Sequence, residues 1–567
     1  MGSIIKKKIK NKVYYYYVES KRVNGKPRYV NQKYLGNAES LLNKLASMDA
    51  TLQNQVLFSN VSEFGAVTLL YDIASRLDIA GIIDGTAPKR KQGASIGTYI
   101  LTAAINRAVA PKSTSGLQEW YSSTCLPTMT GICPNAFTPQ NFWNNTCLDE
   151  ATINNAENAI LRKTITAYKI DTQHIIYDAT NFFTYIDTNQ DSKLAKRGHS
   201  KEKRNDLRII GLSMMVTPDC NIPLLHEAYP GNRHDSVQFR TMMEKLKSRY
   251  EYITGKASDV TVVFDRGNNS KDNIEFLEDE IFKIHYVGGL TKAQAKELFE
   301  VPLTEYTPLV ADSLNGQMAY RSQMNVFDRE VTALIVFNPE LEAGQLQGIR
   351  LNMEKTEARL AALKQRLMKR AESHTARGKK VTVESVTKNV EDILKTEYMK
   401  DIFTYEVTEQ EGGICFTYNS SDEALERVRL KHLGRTVFFT DRHDFTNEEI
   451  VSAYRSAWHV ESAFKQLKNT EHLSVRPVFH WTDDKIRVHI FTCVLAYRLC
   501  CLLAKELSEK GINVNINQLL EIMSGIKQVT TFFGDINKPE TVKSFTKGSD
   551  LAEQIENVYQ LKGKYKS

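Results

Sequence analysis

Three consecutive stretches decide the fold: HIIYDATNFFTYI at 174–186, LRIIGLSMMV at 207–216 and IPLLHEAY at 222–229. Each is rich in β-branched, aromatic and aliphatic residues, is 8–13 residues long and is bounded by polar turns, the pattern of buried strands. An amphipathic stretch follows from Ser236 to Leu246, entered by Asp235 as N-cap with Gln238 three residues on, as in a capping box. Val260–Phe264 then reads as a buried strand, about Asn273 to Phe282 as a helix and Ile284–Val287 as another strand. Three strands, a helix, a strand, a helix and a strand predict an α/β layer on a mixed sheet.

Outward from this core the texture changes on both sides. Residues 40–165 have helical periodicity (Leu41, Leu42, Leu45; Ala103–Ala110) with a proline-rich interruption from Pro127 to Pro139. Upstream, the runs Val13–Val18 and Tyr29–Leu35 flank Asn24-Gly25 and predict a β-hairpin. Downstream, residues 290–434 break the strand rhythm, and Gln345–Glu372 is a charged helix with Leu360, Leu363 and Leu367 on one stripe, so a largely helical insertion is expected. Thr436–Thr440 reads as one more strand, Asn447–Lys468 as a helix entered at Thr446, and Ile486–Leu507 as an apolar helix; the last 35 residues are polar and peripheral in character. The expected organisation is a basic β-unit at 1–40, a helical region at 41–170, an α/β core at 171–290 and 435–530, an insertion at 291–434 and a tail at 531–567.

Charge is divided as unevenly as structure. The net charge of the 567 residues is +7, but residues 1–36 hold ten basic residues against Glu19 alone, leaving the remainder at −2. Residues 350–380 carry ten basic residues against three acids. A basic unit with aromatics between its lysines suits a phosphate backbone or a solvated edge equally well on composition. Eight cysteines without a Cys-x-x-Cys pair argue against a disulfide framework or zinc ribbon and for a reducing cytoplasm. No secretory h-region follows the N-terminal lysines, and the best apolar stretch, Ile490–Ala504, is interrupted by Arg498 and short for a bilayer, so no membrane partner is expected.

Candidate chemistry lies in three acids. Asp178 sits inside an otherwise apolar strand, where an unpaired carboxylate is costly, and Asp265 ends another strand before Arg266-Gly267. Taken singly, each also fits an edge position or a turn cap. In AYRSAWHVESAFKQLKN (453–469), Tyr454, Glu461 and Lys468 are spaced seven apart and predicted to share one helix face, with about 20° of drift per heptad. Asp187-x-Asn189-x-Asp191 imitates a calcium loop but lacks its glycine and closing glutamate, His234 reads as a turn histidine, and His489 as a hydrogen-bonded core residue.

Together, YDATNFF around Asp178, FDRGNNS around Asp265 and Y-x3-W-x2-E-x2-FK-x-LK around Glu461 resemble the three signatures of DDE transposases of bacterial and archaeal insertion sequences. The last resembles the family's Tyr-x2-Arg-x3-Glu-x6-Lys signature. The hairpin, NRAVAPKS (106–113), GHSKEKRNDL (198–207), PGNRHD (230–235) and RPVFHWTDDKIRVHIF (476–491) extend the resemblance over nearly the whole chain. It implies a ribonuclease-H-like catalytic core in which Asp178, Asp265 and Glu461 are catalytic and hold Mg²⁺ or Mn²⁺, two ions per site. It further implies action on double-stranded DNA by at least a homodimer, with Tyr454, Lys468, Lys465, Arg455 and Arg266 as DNA-contact candidates. One departure is Ala457, which stands where the signature has its arginine. Lys196-Arg197 and Lys201–Arg204 could reach DNA or remain solvated. The alternatives are a metal-dependent nuclease of the same fold without strand transfer, and a non-catalytic DNA-binding derivative.

Overall fold

The ten basic residues near the N-terminus do not form a loose arm. In the computed structural model of the chain, β1 (Gly2–Ile9), β2 (Lys12–Val23) and β3 (Lys26–Gly36) make an antiparallel sheet, with Lys6 opposite Tyr15 and Lys7 opposite Tyr14. The expected hairpin is β2–β3; its Asn24-Gly25 turn lies outside the described residues, which are all except 1, 11, 24–25, 48–55, 89–92, 188, 255–258, 279–282, 373–380, 411–412, 536–537 and 566–567. The additional strand β1 forms because its lysines lay their stems over aromatic rings: the Lys7 ammonium is 4.9 Å from the Tyr16 ring centre, and Tyr16 is 5.2 Å from Tyr34. This sheet belongs to a unit made of Met1–Leu69, Gln118–Pro134 and Asn517–Ser567, which also contains β4 (Val56–Glu63). A second unit comprises Leu70–Leu117 and Asn135–Ile516.

The second unit is organised by a nine-stranded sheet. Its strands are β5 (His174–Thr184), β6 (Arg208–Val216), β7 (Pro223–Pro230), β8 (Val260–Val263), β9 (Ile284–Leu290), β10 (Thr307–Pro308), β11 (Met318–Val326), β12 (Arg329–Phe337) and β15 (Arg435–Thr440). The order is β10-β11-β12-β15-β9-β8-β5-β6-β7. β7, β6 and β5 form an antiparallel meander and β8 and β9 run parallel to β5, the ribonuclease-H-like arrangement implied by the resemblance. The Asp235–Thr254 helix covers one face, where Phe239, Met242, Met243 and Leu246 pack with Tyr177, Met215, Leu225 and Phe264.

The expectation of an insertion starting at 291 is corrected by β10, β11 and β12, which extend the sheet through antiparallel pairing to β15. Their residues include Arg321, Gln323, Asn325 and Glu330, polar positions at a sheet edge that hide the strand alternation. The excursion is Pro339–His432. It has its own core, in which Leu360, Leu363 and Leu367 of the Pro339–Glu372 helix meet Val390, Ile402 and Phe416, and it contains a hairpin of β13 (Phe403–Gln410) and β14 (Gly413–Ser420). Its ends close on each other: Asn338 N donates to Gly434 O at 2.8 Å, and Gly434 has φ +70, a conformation that glycine adopts without strain.

In the first unit, β4 pairs with β16 (Lys527–Asp535), which pairs with β17 (Lys538–Phe545). The polar residues expected as a peripheral tail therefore include a hairpin, with Phe532 stacked on Phe58 at 4.3 Å.

The Asp483–Glu509 helix has 27 residues, so it exceeds the apolar stretch read from sequence and is long and apolar enough to cross a membrane. Its apolar window is 94% buried inside the fold, as a core helix is. Arg498, which interrupts that window, is 1% exposed and donates from Nε to Pro223 O (2.9 Å) and from Nη2 to Glu157 Oε1 (3.4 Å). Glu157 also holds Arg249 Nη2 at 3.0 Å and lies 2.5 Å from His226 Nδ1. Although burial raises its carboxyl pKa, the His226 and arginine partners outweigh it, and the net position is well below the usual carboxylate range.

Candidate active site

The two aspartates are level with each other because strand register makes them so. In the parallel β5–β8 pair, His174, Ile175 and Ile176 stand opposite Thr261, Val262 and Val263. Carrying that register two residues further sets Asp178, inside β5, beside Asp265, just past the carboxyl end of β8, on neighbouring strands about 4.8 Å apart. Asp178 Oδ1 accepts from Ala179 N at 2.7 Å and Asp265 Oδ1 from Arg266 N at 2.6 Å. Asp178 is partly buried, and its carboxyl is raised to about 6, first by burial and then by the charges of Asp265 and Asp235, against the opposing pull of Lys201.

The Glu461 segment differs from expectation. The single helix expected over 447–468 is two helices, Asn447–Arg455 and Trp458–Leu467, separated at Ser456-Ala457. The first packs on β9 and β15, the second on β5 and β6. Each half follows its own docking surface, and short bonds such as Ala457 N to Tyr454 O (3.0 Å) and His459 N to Ser456 O (2.9 Å) tighten the chain between them. Tyr454 and Glu461 are thus on separate helices, not on one continuous face. Ala457, at the signature's arginine position, falls in this break.

Tyr454 links the acids. Its ring lies 4.6 Å from Phe438, and burial followed by the charge of Asp265 pushes its pKa up, with Arg266 opposing and Glu461 adding a smaller contribution. The ring lies over Gly289: a Cβ there would sit 2.5 Å from the Tyr454 hydroxyl oxygen. Gly289→Ala is therefore expected to displace the Tyr454 ring at a cost of about 1–3 kcal/mol. A drop of several degrees in Tm together with reduced DNA cleavage checks this; unchanged values in both would refute it.

The remaining candidates are placed as follows. Glu461 and Lys465 are exposed on the second helix, while Val460, Ala463, Phe464 and Leu467 are buried beneath it. Lys468 pairs with Glu202 at 3.5 Å and lies 5.5 Å from the Phe182 ring centre; burial lowers its pKa. Arg455 donates to Gln317, a partner on the sheet's extension. Arg266 is exposed beside Asp265. His489 Nε2 lies 2.8 Å from Val475 O, the core role read for it.

Two residues gain importance only in three dimensions. Lys201 donates to Ala179 O at 2.5 Å and lies 3.8 Å from Asp235, and Asp235, read from sequence as a helix cap, acts electrostatically on Asp178. Both line a cavity of about 480 Å³ with Asn181, His199, Arg233 and Gly267. The recurrence of glycine and charge in PGNRHD was the available signal.

Hard carboxylate oxygens are suited to a divalent cation, and Asp178, whose carboxyl is raised first by burial and further by the neighbouring charge of Asp265, offers such donors together with Asp265. Among the described residues no three His, Cys, Asp or Glu side chains form a metal-holding group, so Glu461 does not complete a three-acid cluster here.

No curated protein matches the chain. Among solved structures, a piggyBac transposase synaptic complex with hairpin DNA aligns over 81% of this chain and 78% of its own, with 9% identity and a TM-score of 0.35. A Mos1 transposase paired-end complex with left transposon end aligns over 35% and 61%, with 10% identity and a TM-score of 0.15. The family model described as the transposase DDE domain matches residues 169–499. That span takes in the strands of both aspartates, the whole Pro339–His432 excursion and the Glu461 helix, more than half of the chain, and the protein therefore belongs to the DDE-domain transposase family.

Proposed function

We propose that this protein is the DNA transposase of an insertion sequence, binding the terminal inverted repeats of its element, cleaving DNA there and joining the freed 3′-hydroxyl to target DNA. The observation that carries the reading is the register of the adjacent parallel strands β5 and β8, which brings Asp178, inside the one, level with Asp265, just past the other, within the family-matched segment. Asp178 and Asp265, with Glu461 as the third donor of the family pattern, would hold Mg²⁺ or Mn²⁺. When bound, such ions supply Lewis-acid activation of the attacking oxygen and charge stabilisation for the leaving one.

The chain's own groups do the positioning. Arg266, exposed beside Asp265, and Lys465 and Lys468 on the Glu461 side offer cations for phosphates flanking the scissile bond. Lys201 keeps a positive charge beside Asp178. The basic sheet of β1–β3 and the helical residues up to 170 are assigned to recognising the element ends, and two protomers to pairing them, in the cytoplasm of the host cell.

The deciding experiment offers the purified protein and Mg²⁺ a pre-cut duplex with the element's terminal repeat and a free 3′-hydroxyl, plus a target duplex. Joined product is expected. Nicks without joining would make the protein a nuclease, and binding without either would make it a non-catalytic derivative.

A further inference from the structure

β5 ends at Thr184, paired there with Arg208 of β6, and the segment 476–481 meets that end: Thr184 bridges Val478, and Tyr185 N donates to Val478 O at 3.2 Å. The rings brought together are not sealed off. Tyr185 and Phe479 stack at 5.0 Å with 26° between their planes, yet remain 47% and 54% exposed, and Trp481 is 68% exposed. Phe183 stands edge-on to Tyr185 at 5.7 Å, and the guanidinium groups of Arg204 and Arg476 lie 5.5 and 5.2 Å from its ring centre. Arg476 and Lys468 share Glu202, and Lys468 and Lys201 act on each other electrostatically. Arg204 in turn pairs with Asp206 at 2.8 Å, so the cations beside the rings are held in place by acids.

An apolar clasp that merely held 476–481 against β5 would gain most by burying its rings. Here two stacked rings keep about half their surface in water, next to a third ring flanked by the guanidinium groups of Arg204 and Arg476. We infer that this surface stacks the unpaired bases of a single DNA strand, whose phosphates follow Arg476, Lys468 and Lys201 toward Asp178. Aromatic faces accept any base and the cations accept the backbone, the combination that binds single strands without reading sequence. An intact duplex offers such faces only at its ends. This inference rests on the DNA-processing role proposed above but asks more, that a specific surface outside the carboxylates distinguishes unpaired from paired DNA.

The test uses the full chain, a fluorescent oligo(dT) of about 16 nucleotides and a blunt duplex, read by anisotropy. The double variant Tyr185→Ala, Phe479→Ala is expected to lose roughly tenfold to a hundredfold in affinity for oligo(dT), with duplex affinity within about twofold and an unchanged salt slope. Tyr185→Phe should bind as the parent does. Unchanged oligo(dT) affinity, or equal losses on both probes, overturns the inference while leaving the transposase reading intact. Should the double variant unfold, the parent protein decides: a strand carrying 2-aminopurine is expected to be quenched on binding, and saturation without quenching overturns the inference. A parent protein that binds neither probe overturns the functional reading and this inference with it.

Discussion

Asp178→Asn and Asp265→Asn are each expected to lower DNA cleavage and joining at least roughly a thousandfold, about 4 kcal/mol of transition-state stabilisation, while leaving DNA binding within a few fold. Asparagine keeps the shape and can accept the same backbone bonds, Ala179 N to Asp178 and Arg266 N to Asp265, so the strand ends stay in place. What disappears is the negative charge a divalent ion needs. Because Asp178 ionises against burial and against Asp265 and Asp235, removing its charge relieves a strain, and the Asn variant is expected to be at least as stable as the parent at neutral pH. The sign follows from linkage: an acid whose folded pKa is raised contributes stability at low pH that is lost as pH rises through the folded value. Lost activity with an undiminished Tm, read on the same preparations, identifies a functional charge; full cleavage by either variant would falsify the assignment. Glu461→Gln is expected to lose activity in the same way although no folded-state contact is broken, since Glu461 is exposed.

Glu157→Ala should produce the largest loss of stability, about 3–5 kcal/mol. Glu157 is fully buried and answers Arg498, Arg249 and His226 from three different elements: the Asp483–Glu509 helix, the Asp235–Thr254 helix and β7. Truncation leaves Arg498 buried with no counter-charge, and a guanidinium cannot escape by deprotonating. Urea unfolding of the variant against the parent measures the loss; a change under about 1 kcal/mol would show that water or rearrangement replaces the carboxylate. Glu150→Ala, on the same helix but half-exposed beside Lys245 and Arg487, is the control and should cost no more than about 1 kcal/mol. The pH dependence has a definite sign. Glu157 has a folded pKa well below its unfolded value of about 4.3, so its contribution is present above that value and is lost as the pH falls from there toward the folded pKa. The parent should therefore weaken on acidification more steeply than Glu157→Ala.

How much was legible varied with the range over which the physics acts. The meander β5–β6–β7, the strand ending at Asp265 and the Asp235 helix could be read because burial on both faces leaves long apolar runs. β11 could not, because a strand near a sheet edge carries Arg321, Gln323 and Asn325 in its alternation and resembles a polar segment of an insertion, whereas the apolar run Val331–Phe337 of β12 was a legible signal that the expectation of an insertion from 291 passed over. The helix over 447–468 read as continuous since no residue in it forbids helix; the break at 456–457 comes from Tyr454 seating on Gly289 while Val460 and Phe464 seat elsewhere. Arg498 was read as an interruption of an apolar stretch, and its partner Glu157 lies 341 residues away.

The sequence by itself determined which chemical groups are available: an aspartate inside one strand and another closing a second, a glutamate on a helix and basic appendages around a near-neutral remainder. Tertiary structure alone decided which of those groups act on one another. Parallel pairing of β5 with β8 sets Asp178 level with Asp265, Lys201 from a turn and Asp235 from the start of a helix act on Asp178, and Glu461 stands on the second half of a broken helix. The physical reason is that residue types and local propensities are written over a few positions, whereas register, burial and the field at a carboxylate are set by segments that meet only when the chain has folded.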